Sequence, residues 1–370
     1  MPQLDALRAF AVFAVLFVHL VSRAPHWLML VPWAACGVQL FFVLSGFLIT
    51  GILLDSRKQI EGGVSSWWML RQFYIRRFLR IFPLYYAVIL VGRITQLTGF
   101  TETFGWNLAY LTNFYIAAKR DWIGAASHLW TLSVEEQFYF VWPWLVFFLP
   151  KRWLLPSFFG TVLFAVAYLV VAFPWLGPWL NVTPFASFDC FGAGALLALA
   201  QRRECGGDPR LRRSLCLIGL VVGIPLFILA VAGQFSPESI PGRLGTMNLA
   251  MTFLLVPLIS GAASGFTGPA GILLMLKPIR YIGRISYGIY VYHLPVGWVI
   301  SHSTWFHAVP RFIPHSVVFL LATIALAALS WHLFERPING LKRLFPYREI
   351  SQARKSEKNP GEIMLEKTRA

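Results

Sequence analysis

Residues 4–20 read LDALRAFAVFAVLFVHL, an apolar run with an arginine, Arg8, near its start and a histidine, His19, near its end. In a helix the eleven-residue spacing lifts the imidazole about 16 Å above the guanidinium, at 1.5 Å per residue. With Arg8 at one membrane face, His19 lies well inside the bilayer. A titratable ring at that depth is costly and marks a functional position.

The rest of the chain makes the membrane setting secure. Its 370 residues are 57% hydrophobic and only 13% charged, with a mean hydropathy of +0.63. Soluble domains carry about 25% charged residues, so this chain has too few to clothe a globule of its length. Apolar runs of about 20 residues recur between short basic clusters, and the alternating pattern of a membrane barrel is absent. The sequence predicts an all-α polytopic membrane protein. About ten transmembrane helices are expected, near residues 6–21, 35–54, 81–98, 133–150, 154–173, 184–200, 214–232, 247–264, 285–301 and 315–334.

The net charge of +16 could suggest nucleic acid as a partner, but the placement of the charge argues otherwise. With those spans, 26 of the 32 lysines and arginines fall on one side: Arg8, the 55–80 loop, Lys151 and Arg152, 201–213, 265–284 and the tail. Arg23, Lys119, Arg120, Arg243 and Arg311 fall on the other, with Arg93 inside a span. This asymmetry predicts cytoplasmic N- and C-termini and no nucleic-acid function. Residues 1–337 form the expected membrane domain. Residues 338–370 read as a basic, disordered cytoplasmic tail beside anionic lipid. The first segment has one arginine behind Asp5 and no positive n-region, so it reads as a span rather than a signal peptide. Cys36, Cys190, Cys205 and Cys216 show neither disulfide nor metal spacing. The triplet Asn181-Val182-Thr183 is a weak glycosylation match.

Five further segments carry polar groups where apolar ones would suffice. FFVLSGFL at 41–48 places Ser45 and Gly46 where a neighbouring helix or a thin ligand can approach the backbone. RRFLRIFP at 76–83 sets Arg77 and Arg80 on one helix face, a fork suited to phosphates or a simple positive-inside anchor. In LWTLSVEEQFYF at 129–140, Ser133 is a candidate N-cap with Glu136 three residues on, a capping box. The alternative there is a sugar site, in which Trp130 stacks on the ring while Glu135 and Glu136 bind hydroxyls at the outer side. ISYGIYVYHLP at 285–295 adds a second intramembrane imidazole, His293. FERP at 334–337 supplies Glu335, a partner for Arg8 or the arginine fork or a plain helix-end ion pair.

Taken in order, Arg8-x10-His19 and these five segments resemble the membrane-bound acyltransferase-3 family, whose members include O-antigen, Nod-factor, peptidoglycan and macrolide O-acyltransferases. Each motif is weak alone, but six in order across residues 3–337 are specific. The resemblance implies about ten helices, acyl-CoA as co-substrate with no resident cofactor or metal, and a saccharide or glycolipid acceptor in a bacterial cytoplasmic membrane. Acetyl is its commonest donor group. It singles out His19, Arg8, Arg77 and Arg80. Some relatives carry an extra C-terminal extracytoplasmic domain, and none is expected from this sequence.

A scheme follows in which Arg77 and Arg80 hold the coenzyme A phosphates and the pantetheine arm runs up between helices. His19, kept neutral by apolar surroundings, acts as general base with Arg8 and Glu136 at the reaction site. Ser45, Trp130, Glu135, His293 and Glu335 line the substrates. A covalent acyl-imidazole is the variant scheme. The rival class is a flippase for a lipid-linked saccharide, which buried histidines and arginines would also suit, although no inverted repeat supports it.

Overall fold

Each apolar run of the sequence folds as helix. The structure, a computed structural model, describes residues 1–20, 31–202, 208–232, 240–303 and 315–347, the side chains of 240–244 excepted. Arg23, Cys205, Arg311, the side chain of Arg243 and the tail from 348 lie outside the described residues. The helices are α1 (Pro2–Leu20), α2 (Trp33–Glu61), α3 (Ser66–Ile94), α4 (Phe104–Leu108), α5 (Thr112–Lys119), α6 (Leu129–Phe148) and α7 (Lys151–Leu176). They continue as α8 (Phe188–Gln201), α9 (Pro209–Ala232), α10 (Ile240–Ser264), α11 (Gly268–Met275), α12 (Lys277–His302), α13 (His315–Ser330) and α14 (Arg336–Gly340), with a π turn over Trp331–Glu335 before α14. No strand occurs among the described residues.

Six segments are long and apolar enough to cross a membrane: Pro2–Leu20, Trp33–Glu61, Lys151–Val182, Pro209–Ala232, Gly245–Ser264 and His315–Leu344. The other four expected spans fall on α3, α6, α8 and α12. Helix α8 is short, at 14 residues, and its flanks are nearly all buried at the centre of the bundle. Helices α3, α6 and α12 carry the site's arginines, glutamates and histidines, which lower their mean apolarity.

Two expectations are corrected. The basic loop expected at 55–80 is almost all helix, because α2 runs on to Glu61 and α3 starts at Ser66. The Ser65 hydroxyl caps α3 by accepting from the Trp68 amide at 3.4 Å, and Met69, Leu70 and Phe73 bury the inner face of this first stretch. Nor is Ser133 an N-cap. Helix α6 begins at Leu129, and the Ser133 hydroxyl donates back to the Leu129 carbonyl at 3.1 Å. The capping box fails because the helix gains a further turn, whose Leu129 and Leu132 are buried in the core.

Small residues bring α2 and α8 together. A Cβ on Gly46 would run into the Phe191 carbonyl, and one on Gly194 into the Val43 carbonyl. The Gly46 expectation thus resolves as close helix packing. Gly46→Ala should force the pair apart and destabilise by about 1–3 kcal/mol. A clear fall in the thermal midpoint in detergent checks this, with Gly160→Ala as control, since nothing lies near that position. By contrast α7 and α9 turn apolar side chains outward: Val170 is 72% and Leu229 63% exposed. They form a lipid-facing rim.

Between α3 and α6, Thr103, Asn107 and Thr112 form a buried hydrogen-bonded cap. Beyond α13, the segment expected to begin the tail instead packs back. Arg76 Nη1 donates to the Lys342 and Phe345 carbonyls, both at 2.8 Å, and its guanidinium sits 4.6 Å over the Tyr347 ring.

Candidate active site

Arginines from three helices gather at one end of the bundle. Arg8 on α1, Arg76, Arg77 and Arg80 on α3, and Arg284 on α12 line a vestibule of about 310 Å³ together with Lys342 and Asp5. Arg8 pairs with Asp5 at 3.3 Å, one turn away. Arg76 is tied to the carbonyls already described. Arg77 and Arg80 differ: neither has a carboxylate within ion-pair distance among the described residues. Aromatic rings hold them instead, Phe73 and Tyr139 each 5.6 Å from Arg77 and Trp331 5.5 Å from Arg80. Cation–π contacts fix a guanidinium while leaving its positive charge uncompensated, as an anion site requires.

The same three arginines, Arg8, Arg77 and Arg80, form the floor of a narrow cavity of about 110 Å³ inside the bundle. Ser45 and Glu135 line it. The Tyr139 hydroxyl and the Ser45 Oγ lie 2.9 Å apart, and Ser45 Oγ donates to Glu135 Oε1 at 2.9 Å. Opposite stand Ser286, Tyr287 and Tyr290 of α12. The neck thus mixes polar groups, a carboxylate among them, with apolar walls from Val38, Phe41, Phe42, Ile81 and Leu132.

Above the neck the bundle opens into a chamber of about 600 Å³, sharing Val38, Phe42 and Tyr290 with it. Three histidines stand here. His19 and His293 rings lie 5.4 Å apart and His293 and His128 rings 4.9 Å apart. His293 Nδ1 meets the Tyr290 carbonyl at 2.5 Å and His128 Nε2 meets the Val291 carbonyl at 2.9 Å. Carbonyls only accept, so each of these nitrogens carries a proton. His19 is exposed and faces both this chamber and an adjoining one of about 760 Å³. Among the described residues no cluster of three His, Cys, Asp or Glu side chains could hold a metal ion.

Sequence reasoning placed Trp130, Glu135 and Glu136 together around an acceptor at the outer side. The structure separates them. Trp130 lines the chamber, Glu135 the neck, and Glu136 a lateral cleft of about 630 Å³ between α3 and α6. Successive helical residues are rotated by about 100°, and here that rotation sends the two adjacent carboxylates into different cavities. Glu335 is corrected too. It is 4% exposed, its Oε1 accepts from Ser330 at 3.2 Å, and it forms no ion pair with Arg8, Arg77 or Arg80. The π turn directs it toward Gly288 of α12 rather than into the vestibule.

Several chamber residues escaped the sequence reading. His128 reaches its partners across 163 residues of sequence, a distance no local pattern reports. Asp189 is 1% exposed and accepts from Thr252 at 2.8 Å. Its carboxylate inside an apolar run met the same criterion that flagged His19, so a signal existed. Asn181, offered as a glycosylation acceptor, instead turns into the chamber and accepts from Asn248 at 2.8 Å.

An arginine fork, a neck and a histidine chamber thus lie in series. The Acyltransferase domain of the acyltransferase-3 family matches residues 1–332. The chain belongs to this family. Peptidoglycan O-acetyltransferase OatA of Listeria monocytogenes is 32% identical to it, over 93% of this chain and 57% of the relative. O-acetyltransferase OatA of Staphylococcus aureus is 25% identical, over 91% of this chain and 57% of the relative. Nodulation protein 10 of Rhizobium leguminosarum bv. viciae is 29% identical, over 94% and 96%. The chain thus spans little more than half the length of the OatA proteins. No solved structure matches it.

Proposed function

We propose that this acyltransferase-3 chain is a multi-pass membrane O-acyltransferase that moves an acyl group, acetyl foremost, from acyl-CoA to a hydroxyl of a saccharide or glycolipid. One observation carries the reading: vestibule, neck and chamber share their walls and join an uncompensated arginine fork to His19. In this reading the basic end and both termini face the cytoplasm of a bacterial cell, and the chain crosses the cytoplasmic membrane about ten times.

Arg77 and Arg80 take the 3′-phosphate and diphosphate of coenzyme A, with Arg8 beside them. The pantetheine arm threads the neck, where its two amides meet the Ser45–Glu135–Tyr139 chain. The climb from Arg8 to His19 is about 16 Å, at 1.5 Å per residue, which suits an extended pantetheine. The thioester then lies in the chamber. His19 takes the proton from the acceptor hydroxyl as its oxygen bonds to the thioester carbon. The carbon–sulfur bond breaks, and the coenzyme A thiolate leaves with the proton that His19 accepted. His293 packs against His19 and restrains its ring. Glu136, facing the lateral cleft, takes no step in this scheme.

The test uses inverted membrane vesicles containing the chain, fed radiolabelled acetyl-CoA. Label in a base-labile glycan or lipid fraction, dependent on the chain, is the expected result. Movement of a lipid-linked saccharide across the vesicle membrane without ester formation would replace this reading with the flippase.

A further inference from the structure

The histidine chamber also carries a line of three side-chain amides from three separate segments. Gln39 on α2 donates from Nε2 to Asn248 Oδ1 at 2.9 Å. Asn248 on α10 donates from Nδ2 to Asn181 Oδ1 at 2.8 Å. The chain leaves one unspent group at each end. Gln39 Oε1 is buried with no hydrogen-bond partner in a side chain only 9% exposed. Asn181 Nδ2 has no partner among the described residues, and Asn181 lines the same chamber. An amide carbonyl stranded in a buried wall is costly unless a ligand donates to it. The two ends ask for complementary things, a donor at Gln39 and an acceptor at Asn181. Next to them stand the indoles of Trp122 and Trp130, flat apolar surfaces of the kind that stack on a sugar face. At about 600 Å³ the chamber falls in the range of small-ligand sites.

We propose that the Gln39–Asn248–Asn181 chain is the acceptor subsite and grips a saccharide through a hydroxyl donated to Gln39 and an acceptor oxygen at Asn181. This rests on the O-acyl transfer reading for the role of the His19 chamber, and adds which residues select the sugar. Two kinds of saccharide present such groups: one bearing hydroxyls alone, or one bearing hydroxyls and an acetamido group. Either one offers a donor for the stranded carbonyl and an acceptor for the free amide. A lone alcohol or an aliphatic chain satisfies at most one.

Binding is measured without any acyl donor, by titrating cellobiose (hydroxyls alone) and chitobiose (acetamido) into the chain in lipid nanodiscs and following tryptophan fluorescence. At least one disaccharide should bind, and which one does so identifies the kind. Gln39→Leu and Asn181→Ala should each weaken that binding about tenfold, the loss of one hydrogen bond to a buried group. Asn181 is only partly buried, so its variant serves if Gln39→Leu fails to fold. Trp122→Phe, at a position 53% exposed, should abolish most of the fluorescence change. Binding of neither sugar, or equal binding by the intact chain and Asn181→Ala, overturns the subsite. Disaccharide binding that follows this pattern without ester formation in the vesicle assay would remove the transfer reading and leave the subsite standing. Ester formation with unaltered sugar binding in the variants would do the reverse.

Discussion

Replacing His19 by alanine is expected to lower O-acyl transfer by about 10²–10⁴-fold, the usual contribution of a general base, while acetyl-CoA still binds. The reason is geometric. His19 is exposed whereas His128 and His293 are buried, and each of those two commits one nitrogen to a backbone carbonyl. The arginines proposed to hold the coenzyme gather around Arg8, eleven residues and three turns below His19 on α1, so the loss of His19 should leave them in place. The check is a pair of measurements on one preparation: labelled ester formed per minute, and the shift in thermal midpoint that acetyl-CoA produces. Loss of that shift along with activity would move His19 from chemistry to donor binding. Unchanged ester formation would remove it from the mechanism. Steady-state kinetics refine the outcome, since parallel rather than intersecting lines would support a covalent acyl-enzyme, the acyl-imidazole variant of the scheme.

Removing the fork should have the opposite signature. Arg80→Ala and Arg77→Ala are each expected to raise the dissociation constant for coenzyme A by roughly 10–100-fold, because a hydrogen bond to a charged group is worth about 1.5–3 kcal/mol. Lysine should restore only part of this at either position, since a point charge replaces a planar fork that also stacks on Trp331 or Tyr139. Added salt should weaken binding by the intact chain more than by the variants, as expected when phosphate attraction dominates. The measurement is calorimetric titration of coenzyme A into the chain in nanodiscs. Arg76→Ala is the internal control. Its guanidinium is spent on the Lys342 and Phe345 carbonyls and on Tyr347, so it should alter stability more than coenzyme affinity. Equal losses in all three variants would mean that the vestibule acts as a diffuse basic patch.

The two glutamates of the 129–140 motif show where local reading stops. Their identity and their helix were legible, yet spacing offered two accounts, a cap and a sugar site, and the structure supports neither as stated. Extending α6 back to Leu129 moved both glutamates from the first turn to the second, and helical rotation then sent them into different cavities. Glu335 teaches the same point from the other side. A carboxylate near arginines in sequence order was a reasonable ion-pair partner, but a π turn changed the direction in which it points.

What the sequence by itself determined is the set of properties that depend on composition and short-range periodicity. These are the helical, membrane-type character, the long apolar segments, the arginine pair on one face of α3, and the depth of His19 above Arg8 along one helix. They were legible because a helix converts residue number directly into height and angle. Tertiary structure alone decided which side chains share a cavity. The meeting of His19 with His128 and His293, the chain from Gln39 through Asn248 to Asn181, and the closure of the neck by α12 all join residues tens to hundreds of positions apart. Such contacts depend on how helices rotate and cross when small residues such as Gly46 and Gly194 let them approach. That rotation is set by the packing of the whole bundle, and no single segment encodes it.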